Sequence, residues 1–211
     1  MRQKILYLPL LGSLLLLLGC TQAAIEAVNY EPVIDQPAIT TAVVSSEVFA
    51  EYTAADFRLT AALFEYNNVL ALSLEIRNLT GEDLSAGDYS ISMTDGRDRK
   101  PIKMLSRQDL ISTKAKVAGT GGSGPIQDQL IQATVDTLMN TINQPTKEKL
   151  IRIIDQGIDN YFSFRPVYAN ERRGGVLCFV PDFKLEFPLA VTVKINQEPY
   201  VIKFLPRQKA S

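Results

Sequence analysis

Histidine is absent from this sequence of 211 residues, and cysteine occurs only twice. Without imidazole there can be no Ser–His or Cys–His nucleophile pair and no histidine metal ligand. The net charge is −1, so electrostatics give no reason to expect nucleic-acid binding. Hydrophobic residues make up 46% and charged residues 21%, which are the proportions of a folded protein. The composition therefore predicts a folded protein without histidine-dependent catalysis and without a nucleic-acid partner.

The N-terminus has the pattern of a bacterial signal peptide. Arg2 and Lys4 give it a positive charge, and the apolar stretch over residues 5–18 is shorter than the roughly 20 apolar residues of a membrane-spanning helix. The stretch ends in Leu17-Leu18-Gly19-Cys20, which resembles the lipobox of bacterial lipoproteins. This resemblance implies removal of residues 1–19 and attachment of lipid to Cys20. An uncleaved membrane anchor that happens to end in a cysteine is the alternative.

The resemblance to lipoproteins also implies a location and a first partner. Thr21 follows the lipidated cysteine, where an aspartate commonly retains lipoproteins of Gram-negative bacteria at the inner membrane. We therefore expect anchoring at the outer membrane, facing the periplasm, with the membrane contacted through the lipid on Cys20. Acyl chains contribute about 0.8 kcal/mol per buried CH₂, so an anchor with three chains is expected to be stable.

The second cysteine, Cys178, has no disulfide partner once Cys20 is lipidated. It lies in the apolar run at residues 176–180, and the chain has no histidine to activate its thiol. The sequence therefore predicts a buried, structural cysteine.

The chain that follows the signal peptide divides into two predicted parts. Residues 20–48 contain Pro32 and Pro37 and no sustained periodicity, which predicts a lipidated tether with room for one edge strand near residues 39–49. Residues 49–211 are predicted to form a single domain.

Within that domain, apolar and polar residues alternate in several short segments, which is the period of a half-buried strand. The longest run has apolar residues at every odd position over 183–195, with Pro188 marking an edge or a break. Turn residues separate the segments, including the Asp95-Gly96 pair. Strands are therefore predicted at residues 57–66, 70–76, 89–93, 102–105, 183–195 and 200–204.

Between the two strand groups the period changes to that of a helix. The glycine-rich residues 118–124 precede Pro125, which a first helical turn accepts. Helices are predicted over residues 125–142 and 146–162, as an antiparallel hairpin inserted at about 125–163. The apolar face of the second helix consists of Leu150, Ile151, Ile154, Ile158, Tyr161 and Phe162.

The order of strands, helical hairpin and strands predicts a mainly β fold, an immunoglobulin-like antiparallel β-sandwich interrupted by that hairpin. Residues 70–105 and 174–204, with their strands and turns, resemble immunoglobulin-like domains of small bacterial lipoproteins of uncharacterised function. The resemblance implies the fold and transfers no catalytic residue to this chain.

For each candidate chemical site, we favour a structural explanation over a functional one. The glycine-rich residues 118–124 lack the Lys-Ser/Thr pair of a phosphate-binding loop and predict a hinge. Asp155 and Asp159 lie four apart, a spacing that suits a divalent metal or acid–base work, but a solvated helix face explains them. No Ser-x-x-Lys or Gly-x-Ser-x-Gly motif occurs. We predict no catalytic, cofactor-binding or metal-binding residue and no enzymatic activity.

The charged run at residues 171–175 is a candidate partner surface. Arg172 and Arg173 can offer bidentate donors to an acidic partner or a lipid headgroup. Tyr168 belongs to an aromatic cluster just upstream, which is either core or part of that surface. A solvated loop tip is the favoured explanation of the charged run, and the partner surface is the alternative.

Together these features favour a lipid-anchored, non-enzymatic binding or assembly module of the cell envelope, with an envelope protein as its partner. A carrier of a small ligand or lipid is the alternative function. A metal-dependent hydrolase that uses Asp155 and Asp159 is a third and less favoured hypothesis.

Overall fold

The computed structural model describes residues 28–44, 47–66, 68–96, 98–119 and 144–207. Within these ranges the chain forms ten strands and two helices. The strands are β1 (Val28–Pro32), β2 (Ile39–Val44), β3 (Glu47–Thr53), β4 (Phe57–Tyr66), β5 (Val69–Asn78), β6 (Tyr89–Thr94), β7 (Pro101–Met104), β8 (Arg172–Val180), β9 (Leu189–Ile195) and β10 (Glu198–Pro206). The helices are α1 (Arg107–Ala118) and α2 (Gln144–Asp159).

Eight of the strands pair in a ring, in the order β1-β10-β9-β6-β7-β8-β5-β4. β1 closes the ring because it pairs antiparallel with β10 at one end and with β4 at the other. The hydroxyl of Tyr30 donates a hydrogen bond of 2.5 Å to the carboxylate of Glu65 across the closing β1–β4 pair. β3 pairs with β4 and β2 with β3, so this hairpin extends beyond the ring.

The predicted immunoglobulin-like β-sandwich is therefore wrong, because the described residues form a closed eight-stranded antiparallel β-barrel with two short helices. Short alternating strands separated by turns occur in sandwiches and barrels alike, so the pattern along the sequence does not distinguish them. β1 makes the difference, since it joins the two edges that a sandwich leaves open. It lies within residues 20–48, where the composition predicted a tether.

Side chains that alternate along the strands fill the interior of the barrel. On β5, Leu70, Leu72, Leu74 and Ile76 all belong to this core and are at most 1% exposed. Phe179 of β8 and the apolar residues of β9 join them. Burying each such side chain contributes about 1.5–3 kcal/mol, so this core is the main stabilising element of the fold.

The two helices cover the outer face of β5 and β8 and form a second apolar layer there. α1 begins with a capping box, in which Ser106 and Asp109 each accept a hydrogen bond from the other's backbone N–H. Lys114 of α1 and Asp155 of α2 form an ion pair of 2.5 Å that joins the helices. The buried residues of this layer are Tyr66, Val69, Leu105, Leu110, Val117, Leu150, Ile154, Cys178 and Val180.

The helical prediction is confirmed only for the second helix. α2 covers the segment predicted from Thr146, and Leu150 and Ile154 of its apolar face are buried. The helix ends at Asp159, so Tyr161 and Phe162 lie beyond it. α1 is not predicted, because only three of its side chains are buried and they form no strong apolar stripe. The first predicted helix, residues 125–142, lies outside the described residues.

Residues 160–168 complete the barrel wall between β6 and β8. Tyr161 pairs with Val176 on one side of this segment, and Val167 pairs with Leu84 on the other. Phe162 is fully buried in the barrel core, where it contacts the rings of Tyr89 and Phe164. A Cβ at position 175 would lie 2.6 Å from the Cα of Phe162, so the close approach of the two backbones requires Gly175.

The strands predicted at 57–66, 70–76, 89–93 and 102–105 are confirmed by β4, β5, β6 and β7. The terminal hairpin is confirmed as β9 and β10, but residues 183–188 form no strand although they continue the same alternation. They instead pack across the β6–β7 turn, where the N–H of Gly96 donates to the carbonyl of Glu186 at 2.9 Å. The single edge strand predicted near 39–49 is a hairpin of two strands, β2 and β3.

Candidate functional site

One end of the barrel, which we call the mouth, is where β4, β6 and β10 begin and where β5 and β9 end. The buried side chain of Asn78 organises the loop that follows β5 at this end. Its amide donates to the carbonyls of Glu82 (2.7 Å) and Val167 (3.1 Å). Its Oδ1 accepts from the N–H and the hydroxyl of Thr80, at 3.0 and 2.8 Å. Asn78 therefore ties the mouth loop to the barrel wall with a fully satisfied polar group.

A cavity of about 900 Å³ opens at the mouth. Its volume lies within the range of about 300–1,000 Å³ that small-molecule sites occupy. Phe57, Leu84 and Ile195 contribute apolar surface, and neither lysine nor arginine is among the lining residues that the structure describes. Five carboxylates line it, those of Asp56, Glu82, Asp83, Asp88 and Glu198. The mouth is therefore a region of negative potential.

Three of these carboxylates hold the local structure together. Asp83 accepts a hydrogen bond of 2.9 Å from the N–H of Ala169, and Asp88 accepts one of 2.9 Å from the N–H of Ser85. Glu198 accepts a hydrogen bond of 2.6 Å from the hydroxyl of Tyr200. The carboxylates of Asp56 and Glu82 have no hydrogen-bond or ion-pair partner within the described part of the chain. Most of the acidic cluster thus has a role in the turns of the mouth.

The raised pKa of Tyr200 reflects the negative charges at the mouth. Its hydrogen bond to Glu198, with burial and the nearby charges of Glu198 and Asp56, raises the pKa of Tyr200 to about 12. The ring of Tyr200 packs edge-on against the rings of Phe57 and Tyr52, with centroids 4.4 and 5.4 Å apart. The phenol therefore stays neutral and donates to Glu198 throughout the physiological pH range.

On the outer face of the barrel, just below the rim of the mouth, three arginines lie side by side. Arg58 of β4 pairs in register with Arg77 of β5, and Arg77 pairs in register with Arg172 of β8. Directly opposite residues on antiparallel strands have Cβ atoms about 5 Å apart and point to the same face. We call Arg58, Arg77 and Arg172 the arginine row.

Few groups within the described residues balance the charge of the arginine row. Glu75 lies 3.6 Å from Arg172, in an ion pair whose two side chains are 37% and 74% exposed. The Nε of Arg58 is buried without a hydrogen-bond partner. Arg77 has no hydrogen-bond or ion-pair partner within the described residues. A second cavity, of about 390 Å³, lies against the row and is lined by Arg77, Asn170, Glu171 and Arg172.

The structure separates the residues predicted as one partner surface. Arg172 begins β8 and faces outward with the arginine row. Arg173, the next residue, has the opposite orientation and supports the barrel wall, because it donates to the carbonyl of Pro166 (3.2 Å) and the hydroxyl of Ser163 (3.3 Å). Tyr168 lies in the turn before β8 and is 51% exposed. Arg172 and Tyr168 are therefore accessible at the mouth end, and Arg173 is engaged in structure.

The other residues singled out in the sequence lie elsewhere. Asp155 of α2 forms an ion pair with Lys114 of α1, and Asp159 is exposed at the end of α2. Gly119 ends α1 in the left-handed conformation, and the glycines that follow it lie outside the described residues. Histidine, cysteine, aspartate and glutamate side chains of the described ranges nowhere form a group of three or more that could hold a metal ion.

Cys178 is buried beneath α2, as its apolar neighbours predict. Burial raises the pKa of its thiol to about 11, so the thiolate does not form at neutral pH. Cys20 and Thr21 lie outside the described residues. Neither helix of the described chain is long and apolar enough to cross a membrane.

Arg58 and Arg77 were not predicted as site residues, although the sequence contains a signal for their pairing. β4 and β5 are joined by only two residues, so counting back from Tyr66 opposite Val69 places Arg58 opposite Arg77. The register of β8 against β5 has no such local determinant. The addition of Arg172 to the row therefore becomes visible only in the folded barrel.

No protein-family model matches the chain, and no curated protein matches it. Among solved structures, the chain is similar to a conserved hypothetical protein from Bacillus anthracis, known from a crystal structure at 2.2 Å. The two share 10% sequence identity, and the alignment covers 79% of this chain and 96% of that one with a TM-score of 0.35. A likeness at this level carries no argument about fold or function.

Proposed function

We propose that this chain is a lipid-anchored, non-enzymatic binding or assembly module of the cell envelope, and that its mouth end contacts an envelope protein. The observation that carries the proposal is the arginine row, because its charges serve no evident purpose in the fold. Like charges directly opposite one another weaken a sheet, so their presence on three adjacent strands favours a role in binding.

The path of the chain supports this orientation. β1 begins at the end of the barrel opposite the mouth, since Val28 pairs with Glu65 near the end of β4. Cys20 precedes Val28 by eight residues, which span at most about 3.6 Å each. A lipid on Cys20 would therefore hold the far end of the barrel near the membrane and leave the mouth directed towards other envelope components.

Three features support a role other than catalysis. The chain contains no histidine, and the carboxylate of Asp155, half of the pair considered for metal-dependent hydrolysis, is engaged by Lys114. Three of the five mouth carboxylates are likewise engaged as acceptors of structural hydrogen bonds. These groups are held in place rather than available as an acid and base pair.

Site-specific photocrosslinking in cells tests the proposal. A benzophenone amino acid replaces Tyr168 at the mouth end in one variant and Phe187 at the far end in the other. Both are aromatic positions of similar exposure, 51% and 42%, so they make a matched pair. We expect the full-length lipoprotein to capture one envelope protein in stoichiometric yield from position 168 and not from position 187.

The identity of the captured protein is read by mass spectrometry, and neutralising Arg77 should abolish its capture. Equal capture from both positions would contradict the proposal, because a random encounter does not distinguish the two ends. Capture from neither position would contradict it as well. A third photocrosslinking position at Lys194 lies outside the arginine row, on the opposite side of the barrel, and provides a comparison position at the same end.

The volume of the mouth cavity favours a second function, binding of a small ligand. Its lining favours a cationic ligand, since five carboxylates and no basic side chain surround it. The barrel interior itself is filled by core side chains, which leaves the mouth as the place for such a ligand. Native mass spectrometry of the freshly purified full-length chain tests this alternative: a bound cationic molecule would support it, and a clean apo mass would contradict it.

A further inference from the structure

We propose that the arginine row is a binding site for a phosphate group. The inference rests on the proposed binding function and adds the chemical class of the ligand. It assigns a role to Arg58 and Arg77 as well as to Arg172.

The first step is the arrangement of the donors. Arg58, Arg77 and Arg172 lie on three adjacent strands in direct register, so their guanidinium groups can converge on one ligand from different directions. A guanidinium donates two parallel hydrogen bonds to an oxyanion, and phosphate offers acceptor oxygens directed to several sides. A carboxylate, with two coplanar oxygens, can satisfy one such fork but not three.

The second step is that the donors are unoccupied within the described residues. The Nε of Arg58 is buried without an acceptor, although a buried donor without a partner is costly. Among the described residues, Arg77, the central member, has no partner, and Arg172 has only the exposed ion pair of 3.6 Å with Glu75. A bound anion would supply acceptors to Arg77 and Arg172, which line the adjacent cavity, and would relieve the repulsion between the three charges.

The third step is access. The cavity of about 390 Å³ beside the row is open to solvent and is lined by Arg77 and Arg172 together with Asn170 and Glu171. The amide of Asn170 can add a neutral donor to the ligand. Glu171 and Glu75 limit the negative charge that the site accepts, so a phosphodiester with one charge is expected to bind at least as tightly as doubly charged orthophosphate.

The test uses the full-length chain in a non-ionic detergent and follows the Nε–Hε resonances of arginine by NMR. The probes are orthophosphate and glycerophosphoglycerol, the headgroup of phosphatidylglycerol, with acetate at matched ionic strength as the control anion. We expect saturable shifts of the Arg77 and Arg172 resonances with a phosphate probe and not with acetate. Tighter binding of glycerophosphoglycerol would support the site with a lipid headgroup as the source. Tighter binding of orthophosphate would support a phosphate site with a soluble phosphate as the source, and it would contradict the expected preference for a singly charged phosphodiester.

Variants decide whether the row itself is responsible. Arg77→Gln should weaken phosphate binding by at least about tenfold, since it removes the central fork. Arg77→Lys keeps the charge but loses the two parallel donors, so its phosphate affinity should lie between that of Arg77→Gln and that of the unaltered chain. Lys194→Gln is the matched control, because Lys194 is exposed at a similar height on β9, opposite β5 in the ring. It should leave phosphate binding unchanged.

Equal shifts with acetate, no saturable shift with either phosphate probe, or unchanged binding by Arg77→Gln would each overturn the inference. Should Arg77→Gln fail to fold, Arg77→Lys provides the same comparison. The two proposals can fail separately. Capture from position 168 without phosphate binding would contradict the phosphate site and leave the proposed function standing. Phosphate binding without capture would contradict the proposed contact with an envelope protein and leave the phosphate site standing.

Discussion

The acidic mouth and the arginine row lie next to each other at the same end of the barrel, yet the fold uses their charges differently. At the mouth, Asp83 and Asp88 accept hydrogen bonds from backbone N–H groups and Glu198 from a tyrosine hydroxyl. In the arginine row, the one ion pair formed within the described ranges is exposed and 3.6 Å long, and no group of these ranges accepts a hydrogen bond from the Nε of Arg58.

The comparison shows why a cluster of charge is a weak guide to function until its partners are known. Short carboxylate side chains next to turns satisfy backbone donors, so an acidic rim arises from the chemistry of turns alone. Three arginines in register on a sheet have no such explanation and weaken the sheet. Removing a mouth group that makes a structural hydrogen bond should therefore destabilise the protein, and removing an arginine of the row should not.

The largest effect is expected from Asn78→Ala. Asn78 is 4% exposed and makes four hydrogen bonds to the mouth loop and the barrel wall. Its loss leaves buried carbonyl groups without donors, and the free energy of unfolding should fall by about 2–4 kcal/mol. Urea denaturation of the full-length chain in detergent measures this. A change below about 1 kcal/mol would show that the mouth loop is not held by Asn78.

A smaller loss is expected from Asp83→Ala or Asp88→Ala. Each variant removes one exposed hydrogen bond to a backbone N–H, which should lower the free energy of unfolding by about 0.5–1 kcal/mol. Glu82→Ala is the control from the same loop, because its carboxylate has no partner within the described residues. Equal losses for Glu82 and Asp83 would mean that the mouth carboxylates act through their shared charge instead.

The opposite sign is expected for Arg77→Gln. Removing the central charge of the row relieves repulsion from Arg58 and Arg172, so the free energy of unfolding should rise by a few tenths of a kcal/mol. The gain should fade at high salt, because exposed charges are then screened. Denaturation at low and high salt tests both statements, and a loss of stability at low salt would show that the row has a structural role.

The smallest effect on stability at neutral pH concerns Tyr200. Because the pKa of Tyr200 is raised to about 12, the stability it contributes is fully present below about pH 10 and is lost as the pH rises through about 12. Glu198→Gln removes the main cause, so the pKa of Tyr200 should fall towards 10 while stability at pH 7 changes little. NMR titration of the tyrosine ring carbons measures the pKa, and an unaltered value would contradict the assigned cause.

Local pairing explains what could be predicted of this fold. β4 and β5, joined by two residues, and the β9–β10 hairpin follow from alternation and turn residues close in sequence. The closing strand β1 has five residues and pairs with two strands more than 30 positions away, which no local pattern encodes. Closure into a barrel was therefore missed.

The same limit applies to the site. The sequence indicates Arg172 and Arg173 together as one candidate surface. Adjacent residues of a strand point to opposite faces, and this separation can be predicted only when the bounds of β8 are known. Phe162 matches the apolar spacing of α2, yet it fills the barrel core after the helix ends. Its place depends on contact with Gly175 of β8, thirteen residues further along the chain, which the helical spacing does not indicate.

Photocrosslinking from position 168 in the Arg77→Gln background tests the central claim most directly. The claim is that the arginine row serves binding and not folding. Capture of the envelope protein should fall by at least about tenfold in Arg77→Gln and stay unchanged in Lys194→Gln, while the stability of Arg77→Gln is equal to or above that of the unaltered chain. Undiminished capture in Arg77→Gln, or a loss of capture that follows a loss of stability, would contradict the claim.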